Sequence, residues 1–274
     1  MIHPGMTYAE YAGIDAVNWS RLKAMRVSPL QFHYELTNPP DADASHFRVG
    51  TAAHCRVLEP DSFSQRFVVF SGTRRGKGWE AVKSHAAATG VTVLSEDEAT
   101  AALGAAASVL TNPHSSAILS AGLREVSITW EDEVTHFDCK GRIDFAGDHM
   151  VDLKTTARIE PRAFATQAAR LGYHAQFAFY LDGLRANGIA NDKPPVLIAV
   201  QSALPHDVIV FTIPPHVLDA GRREYRRLLT KLYECAESNR WPGAAPNGPV
   251  VFELPRWAYE NDYALIEADL EEMP

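Results

Sequence analysis

Cysteine is scarce in this sequence, long apolar runs are missing, and no tract is dominated by one residue type. The 274-residue chain has three cysteines, Cys55, Cys139 and Cys235, far apart and without a CxxC pair. That spacing excludes a disulfide framework, a zinc ribbon and an iron–sulfur cluster, and it fits a reducing compartment. No segment approaches the roughly 20 apolar residues of a membrane-spanning helix. The opening MIHPGMTYAEYAGID carries acids and no apolar stretch, so it does not read as a secretory signal. Internal repeats and low-complexity segments are also missing. The expectation is a soluble protein of the cytoplasm with no membrane partner.

What is present is ordinary in amount and uneven in placement. With 46% apolar and 22% charged residues, the chain has the make-up of a globular protein and enough length for a sizeable core. The net charge is −8, but seven acids against one Arg lie from residue 253 onward. Residues 1–252 are therefore close to neutral and are expected to form one domain, with 253–274 an acidic surface extension. Basic residues cluster at Arg74-Arg75-Gly76-Lys77 and at Arg222-Arg223 and Arg226-Arg227. An acidic chain can still carry a positive groove, so net charge does not exclude a nucleic-acid partner. The second cluster is expected as a solvated helix face.

Periodicity and caps divide the chain into elements. Asn18 caps a short helix that stops before Ser28-Pro29, a second follows over 30–36, and the stretch at 38–43 is a loop. Val49, Ala52, Ala53 and Val57 give the helix over 47–58 its apolar face. Phe67 to Phe70 reads as a strand and 79–89 as a helix. An Ala-rich helix with an acidic first turn runs over 95–119, broken at Asn112-Pro113. Strands are expected over 125–131, 140–145, 150–155, 196–202 and 208–213, with helices over 162–187, broken at Gly172, and from Pro214-Pro215 to about Asn239. Helices, three strands, a helix, two strands and a helix give an α/β class: a mixed central sheet flanked by helices, with a helical N-terminal extension over 15–60 and a core over about 120–213.

The stretch from Cys139 to Thr156, CKGRIDFAGDHMVDLKTT, is the most informative. Two strands joined at Gly147-Asp148 alternate Val151 and Leu153 with Asp152 and Lys154, and Asp144 can lie beside Asp152 across the hairpin. Two carboxylates and an ammonium on an otherwise apolar strand pair are costly unless they bind something, and a divalent metal is the usual ligand. Taken alone, Asp-x-Lys is more readily a solvated strand face. Three further features bear on it: His54 in Gly50-Thr-Ala-Ala-His54, Gln176 and Tyr180 four apart on one helix face, and Glu125 at the head of the preceding strand.

Five blocks, in order, resemble the PD-(D/E)XK nuclease superfamily, and within it the RecE-type exonuclease VIII and RecB-like branch. They are Ser20-Arg-Leu-Lys with Ser28-Pro29, Gly50-Thr-Ala-Ala-His54 with Leu58-Glu59-Pro60, Gly141-Arg-Ile-Asp144, Val151-Asp-Leu-Lys-Thr-Thr156, and Tyr173-His-Ala-Gln176-Phe-Ala-Phe-Tyr180. The resemblance implies a restriction-endonuclease-like fold and metal-dependent phosphodiester hydrolysis. Asp144 and Asp152, the backbone carbonyl of Leu153 and His54 are then the ligands of Mg²⁺, with Mn²⁺ acceptable and two ions per site. Lys154 orients or deprotonates the attacking water, and Gln176 and Tyr180 border the site. Arg142, Arg74, Arg75, Lys77 and Thr155 are the expected substrate contacts, with Glu125 a further candidate. The resemblance further implies a 5′ to 3′ exonuclease acting on double-stranded DNA ends in a bacterial or phage-infected cell. It would leave 3′ single strands, assemble as a toroidal trimer or tetramer, and work with a single-strand annealing protein. A nuclease of other polarity or endonucleolytic type, or a degenerate DNA- or protein-binding module, are the alternatives.

Overall fold

The computed structural model describes residues 1–38, 45–189 and 193–254. Most of the loop expected at 38–43, and the acidic extension beyond residue 254, lie outside the described residues. In chain order the elements are β1 (Ile2–His3), α1 (Tyr8–Gly13), α2 (Trp19–Leu22), α3 (Pro29–Thr37), α4 (Ser45–Leu58), α5 (Phe63–Arg66) and β2 (Phe67–Phe70). Then come α6 (Gly76–Thr89), β3 (Thr92–Ser95), α7 (Glu96–Thr111), α8 (Pro113–Ile118), β4 (Gly122–Glu131), β5 (Asp138–Gly147) and β6 (Met150–Thr156). The chain continues with α9 (Pro161–Leu171), α10 (Tyr173–Ala186), β7 (Val196–Gln201), β8 (Val208–Thr212) and α11 (Pro215–Ser238).

Six strands form the main sheet in the order β1-β4-β5-β6-β7-β8. Its pairs are antiparallel except β6 with β7. A parallel pair needs a crossover, and α9 and α10 supply it. One apolar cluster joins α2, α3, α10 and α11 against one face, and a second joins α4 and α7 against the other. β6 feeds both, with Met150 in the first and Val151 and Leu153 in the second. A strand covered on both sides explains the nearly continuous apolar run that Asp152 interrupts.

Local chemistry sets most boundaries as expected. The side chains of Asn18, Ser28 and Ser95 accept hydrogen bonds from the third residue of the helices they precede. Gly172 separates α9 from α10 at φ +74, and a Cβ there would sit 2.5 Å from Trp19, so only glycine fits the break. Four elements carried too little pattern to be seen: β1, α1, α5, and the four-residue β3, which pairs in parallel with β2 as a separate two-stranded sheet. The expected solvated face of α11 is only half correct. Arg222 pairs with Asp182 at 2.8 Å and Arg226 with Asp132, so two of the four arginines tie α11 to α10 and to the β4–β5 turn. No helix among the described residues is long and apolar enough to cross a membrane.

Candidate active site

Three neighbouring strands carry one acid each in a single row. β4 and β5 pair Arg124 with Phe145 and Val126 with Ile143, which sets Glu125 opposite Asp144. β5 and β6 pair Phe145 with Val151, so the next position sets Asp144 opposite Asp152. The backbone ladder between β5 and β6 stops there. The Asp144 side chain takes over, its Oδ2 accepting a hydrogen bond from the Leu153 backbone N–H at 2.7 Å. Glu125 is held at φ +52, an uncommon conformation for a residue with a side chain.

α4 lies over this row because its sequence lets it approach. A Cβ on Gly50 would sit 3.0 Å from Thr155 Oγ1, and Ala52 and Ala53 are fully buried. The small residues before His54 therefore bring its ring to the sheet, with Nδ1 3.7 Å from Asp144 Oδ2. Ligand atoms of His54, Glu125 and Asp144 all lie within 4.8 Å of one another.

Asp152 lies deeper, at 5% exposure. Its Oδ1 accepts from Gln176 Nε2 at 2.8 Å. Its Oδ2 is 2.5 Å from Lys154 Nζ, yet it receives no well-directed hydrogen bond. The two side chains sit two apart on one strand and meet through charge rather than along an N–H direction. Lys154 Nζ also lies 5.0 Å from the centre of the Tyr173 ring.

The electrostatics follow from crowding acids out of water. Burial, and then the charge of Asp152, push the Asp144 carboxyl up to about 7. Burial and then Asp144 raise Glu125. Burial and then the Lys154 charge lower His54, which keeps its imidazole neutral and able to act as a ligand. Burial alone would lower Lys154, but Asp152 and Asp144 outweigh it and hold the ammonium above its usual range. Carboxylates crowded against one another out of water are the arrangement a cation relieves.

The cleft, about 650 Å³, is lined by His54, Glu125, Arg142, Asp144, Lys154 and Thr155 among the expected residues. Asp152, Leu153 and Gln176 stand behind this lining. Tyr180 is 7% exposed and packs beneath β5, where a Cβ on Gly141 would meet its ring at 2.8 Å. Arg142 donates from Nε to Glu125 Oε2 at 2.6 Å, and from a terminal nitrogen to the Met6 carbonyl and Ser127 Oγ, both at 2.9 Å. The Arg74, Arg75 and Lys77 group is not part of the cleft. Arg74 pairs with Glu98 at 2.9 Å and lies over the Trp79 ring, in a separate groove with Arg48 and Lys83. The sequence reading missed Tyr8, Gln167 and Tyr173, which also line the cleft. Tyr173 had a signal, since it sits three residues before Gln176 on the same helix face; Tyr8 had none.

The donor set fits a divalent cation: one neutral imidazole and carboxylate oxygens within 4.8 Å of one another. Hard oxygen donors with one nitrogen suit Mg²⁺ or Mn²⁺.

Comparison with known proteins bears on this site. Residues 18–248 match the family described as "PDDEXK-like domain of unknown function (DUF3799)". Among curated proteins, none matches the chain. A solved structure from Eubacterium rectale, named "Putative exonuclease", superposes with a TM-score of 0.64 at 13% identity, over 92% of this chain and 96% of its own. At that identity it shows a shared fold. A structure named SSO0001 covers 76% of this chain and 84% of its own, at 14% identity and a TM-score of 0.28, and adds nothing further. PDDEXK nucleases are metal-dependent, in keeping with the ligand cluster on α4, β4 and β5. With the family covering most of its length and the sheet arranged as in a nuclease, this chain belongs to the PDDEXK-like domain family DUF3799.

Proposed function

We propose that this protein is a metal-dependent DNA exonuclease that degrades one strand of a duplex from its 5′ end and leaves 3′ single strands for annealing. The observation that supports the reading most is the buried Asp152 with Lys154 2.5 Å away, next in the row to Asp144 and roofed by His54. Phosphodiester hydrolysis needs an activated water, a stabilised phosphoryl group and a stabilised leaving oxygen. Asp144, Asp152, the Leu153 carbonyl and His54 are the residues to hold Mg²⁺, or Mn²⁺, as two ions. A divalent ion held by these residues would supply positive charge for the phosphoryl oxygens and would make the attacking water more acidic.

The chain's own residues do the rest. Gln176 fixes the orientation of Asp152 through its 2.8 Å hydrogen bond. Lys154, held charged by its carboxylate neighbours, donates to the attacking water and aligns it for in-line approach. Tyr180 supports β5 from below, and Tyr173 walls the cleft beside Lys154. Thr155 borders the path of the strand. Arg74, Arg75 and Lys77, outside the cleft, contact phosphates of the duplex beyond the cut. The enzyme acts on double-stranded ends in the cytoplasm, as a toroidal trimer or tetramer, with a single-strand annealing protein as partner.

A linear duplex labelled at its 5′ end, digested with Mg²⁺, tests the reading. Wild type is expected to release labelled mononucleotides, and Asp152→Ala to lose at least about 10³-fold of that rate. A closed circular duplex is expected to survive. No metal-dependent release by wild type overturns the proposal, and cutting of the circle replaces it with an endonuclease.

A further inference from the structure

Glu125 lies in the cluster with His54 and Asp144 but is not among the residues named above as holding Mg²⁺. We propose that Glu125 is an additional ligand of the metal site, kept by Arg142 as its counter-ion until the cation arrives. The inference rests on the metal-dependent reading of the cleft and assigns a further residue to it. Glu125 ends the row of three acids, opposite Asp144, and one of its carboxylate oxygens shares a 4.8 Å neighbourhood with ligand atoms of His54 and Asp144. The strand turns left-handed at Glu125 alone, at φ +52, with paired residues on either side. An ordinary strand residue does not adopt that conformation. The independent reason to expect a cation is the family, since PDDEXK nucleases are metal-dependent.

Arg142 explains how a third carboxylate is tolerated before metal binds. Its Nε holds Glu125 Oε2 at 2.6 Å, while its terminal nitrogen is tied separately to the Met6 carbonyl and to Ser127. Those two anchors do not involve Glu125, so the guanidinium keeps its place when the carboxylate turns to a cation. It then presents an unpaired Nε–H at the wall of the cleft, next to the site where a phosphate would lie. One side chain thus serves as counter-ion to the empty site and as a phosphate contact for the loaded one. The N-terminal segment takes part through Met6, since it fixes the guanidinium from outside the sheet.

Mn²⁺ titration of the full chain, by calorimetry and by loss of the free-ion paramagnetic resonance signal, tests this without any nuclease assay. Glu125→Gln keeps an oxygen acceptor for Arg142 and is expected to weaken Mn²⁺ binding about 10- to 100-fold. Glu125→Asp, which keeps the charge but shortens the reach, is expected to fall between Gln and wild type, and it serves if the Gln variant fails to fold. Arg142→Met is expected to tighten Mn²⁺ binding, and that gain is expected to vanish when combined with Glu125→Gln. Wild-type affinity in folded Glu125→Gln, or in Glu125→Asp if only that variant folds, overturns the inference while leaving the metal site standing. Absence of Mn²⁺ binding by wild type overturns the metal reading itself, and with it the inference.

Discussion

Asp182 on α10 and Asp144 on β5 are nearly equal in shielding, with 15% and 16% of their side chains exposed. Their acidities go opposite ways. Burial raises both, but at Asp182 the hydrogen bonds from Arg222 and Tyr225 outweigh it and hold the carboxyl below its usual range. At Asp144 the next influence is another carboxylate, and the carboxyl goes up to about 7. Asp132 repeats the first pattern, 3% exposed, held by Thr135 and Arg226. Glu125 repeats the second despite its arginine. Burial therefore does not separate a structural acid from a functional one; the sign of the nearest partner does.

The largest way to test that contrast is to remove one acid of each kind. Asp152→Ala is expected to abolish metal-dependent activity; it takes a partner from Gln176 and Lys154, but Asp144 remains as a counter-charge for Lys154, so its stability loss is expected to be the smaller of the two. Asp182→Ala does the reverse. It leaves Arg222 and the Tyr225 hydroxyl without their acceptor between α10 and α11, and is expected to lower unfolding stability by about 3 kcal/mol in urea titration. Activity per folded molecule should hold. Equal stability losses from the two substitutions would erase the distinction.

A pH series on metal-free protein gives a smaller and more specific effect. The folded Asp144 carboxyl titrates near 7 instead of 3.8. Between those values the native state holds a proton that the unfolded chain has released, so stability falls as pH rises through the window and levels off above it. Asp144→Asn lacks that titration. It is expected to be more stable than wild type at pH 8 by on the order of 2 kcal/mol, with the gap closing at pH 4. Mn²⁺ at 100 times its dissociation constant is expected to stabilise wild type by about 2.7 kcal/mol and the variant by less. A constant gap across pH would show that Asp144 is not crowded by its neighbours.

How much of this was legible in the sequence depends on the range of the physics involved. The hairpin, the small-residue approach before His54, and the break at Gly172 are local, and their residues announce them. Strand alternation and helix spacing placed Asp152, Lys154 and Gln176 on common faces, but it was the five blocks in order that singled them out. Asp144 beside Asp152 was expected from the hairpin, but the place of Glu125 in the row was not. Glu125 and Asp144 are opposed by a ladder running from Gly122↔Gly147 to Glu131↔Asp138, closed by a turn at 132–137 with no short hairpin signature. Nor could the sequence show that Arg142 would meet Glu125 and Met6 rather than open solvent. The pairing of α11 with Asp132 and Asp182 failed to show for the same reason: a charge run states which residues face outward from one helix, not what lies across from them.

The smallest expected effect concerns a third acid of the Asp182 kind. Glu98, 8% exposed on α7, is held by Arg48 at 2.5 Å and by Arg74 at 2.9 Å. Arg74 is the more exposed of the two arginines, at 39% against 11%. Its removal leaves Glu98 with Arg48, so Arg74→Ala is expected to change stability by less than about 1 kcal/mol. The residue also lies over Trp79 at the head of α6, a helix with no buried side chain and with Lys77 and Lys83 on it. If that surface follows the duplex, Arg74→Ala reduces the slope of log binding constant against log salt by about 1, without changing the cleavage rate at saturating DNA. An unchanged slope assigns Arg74 wholly to Glu98, as one more buried-acid clamp, and confines the DNA contacts to the cleft that Asp144 and Asp152 define.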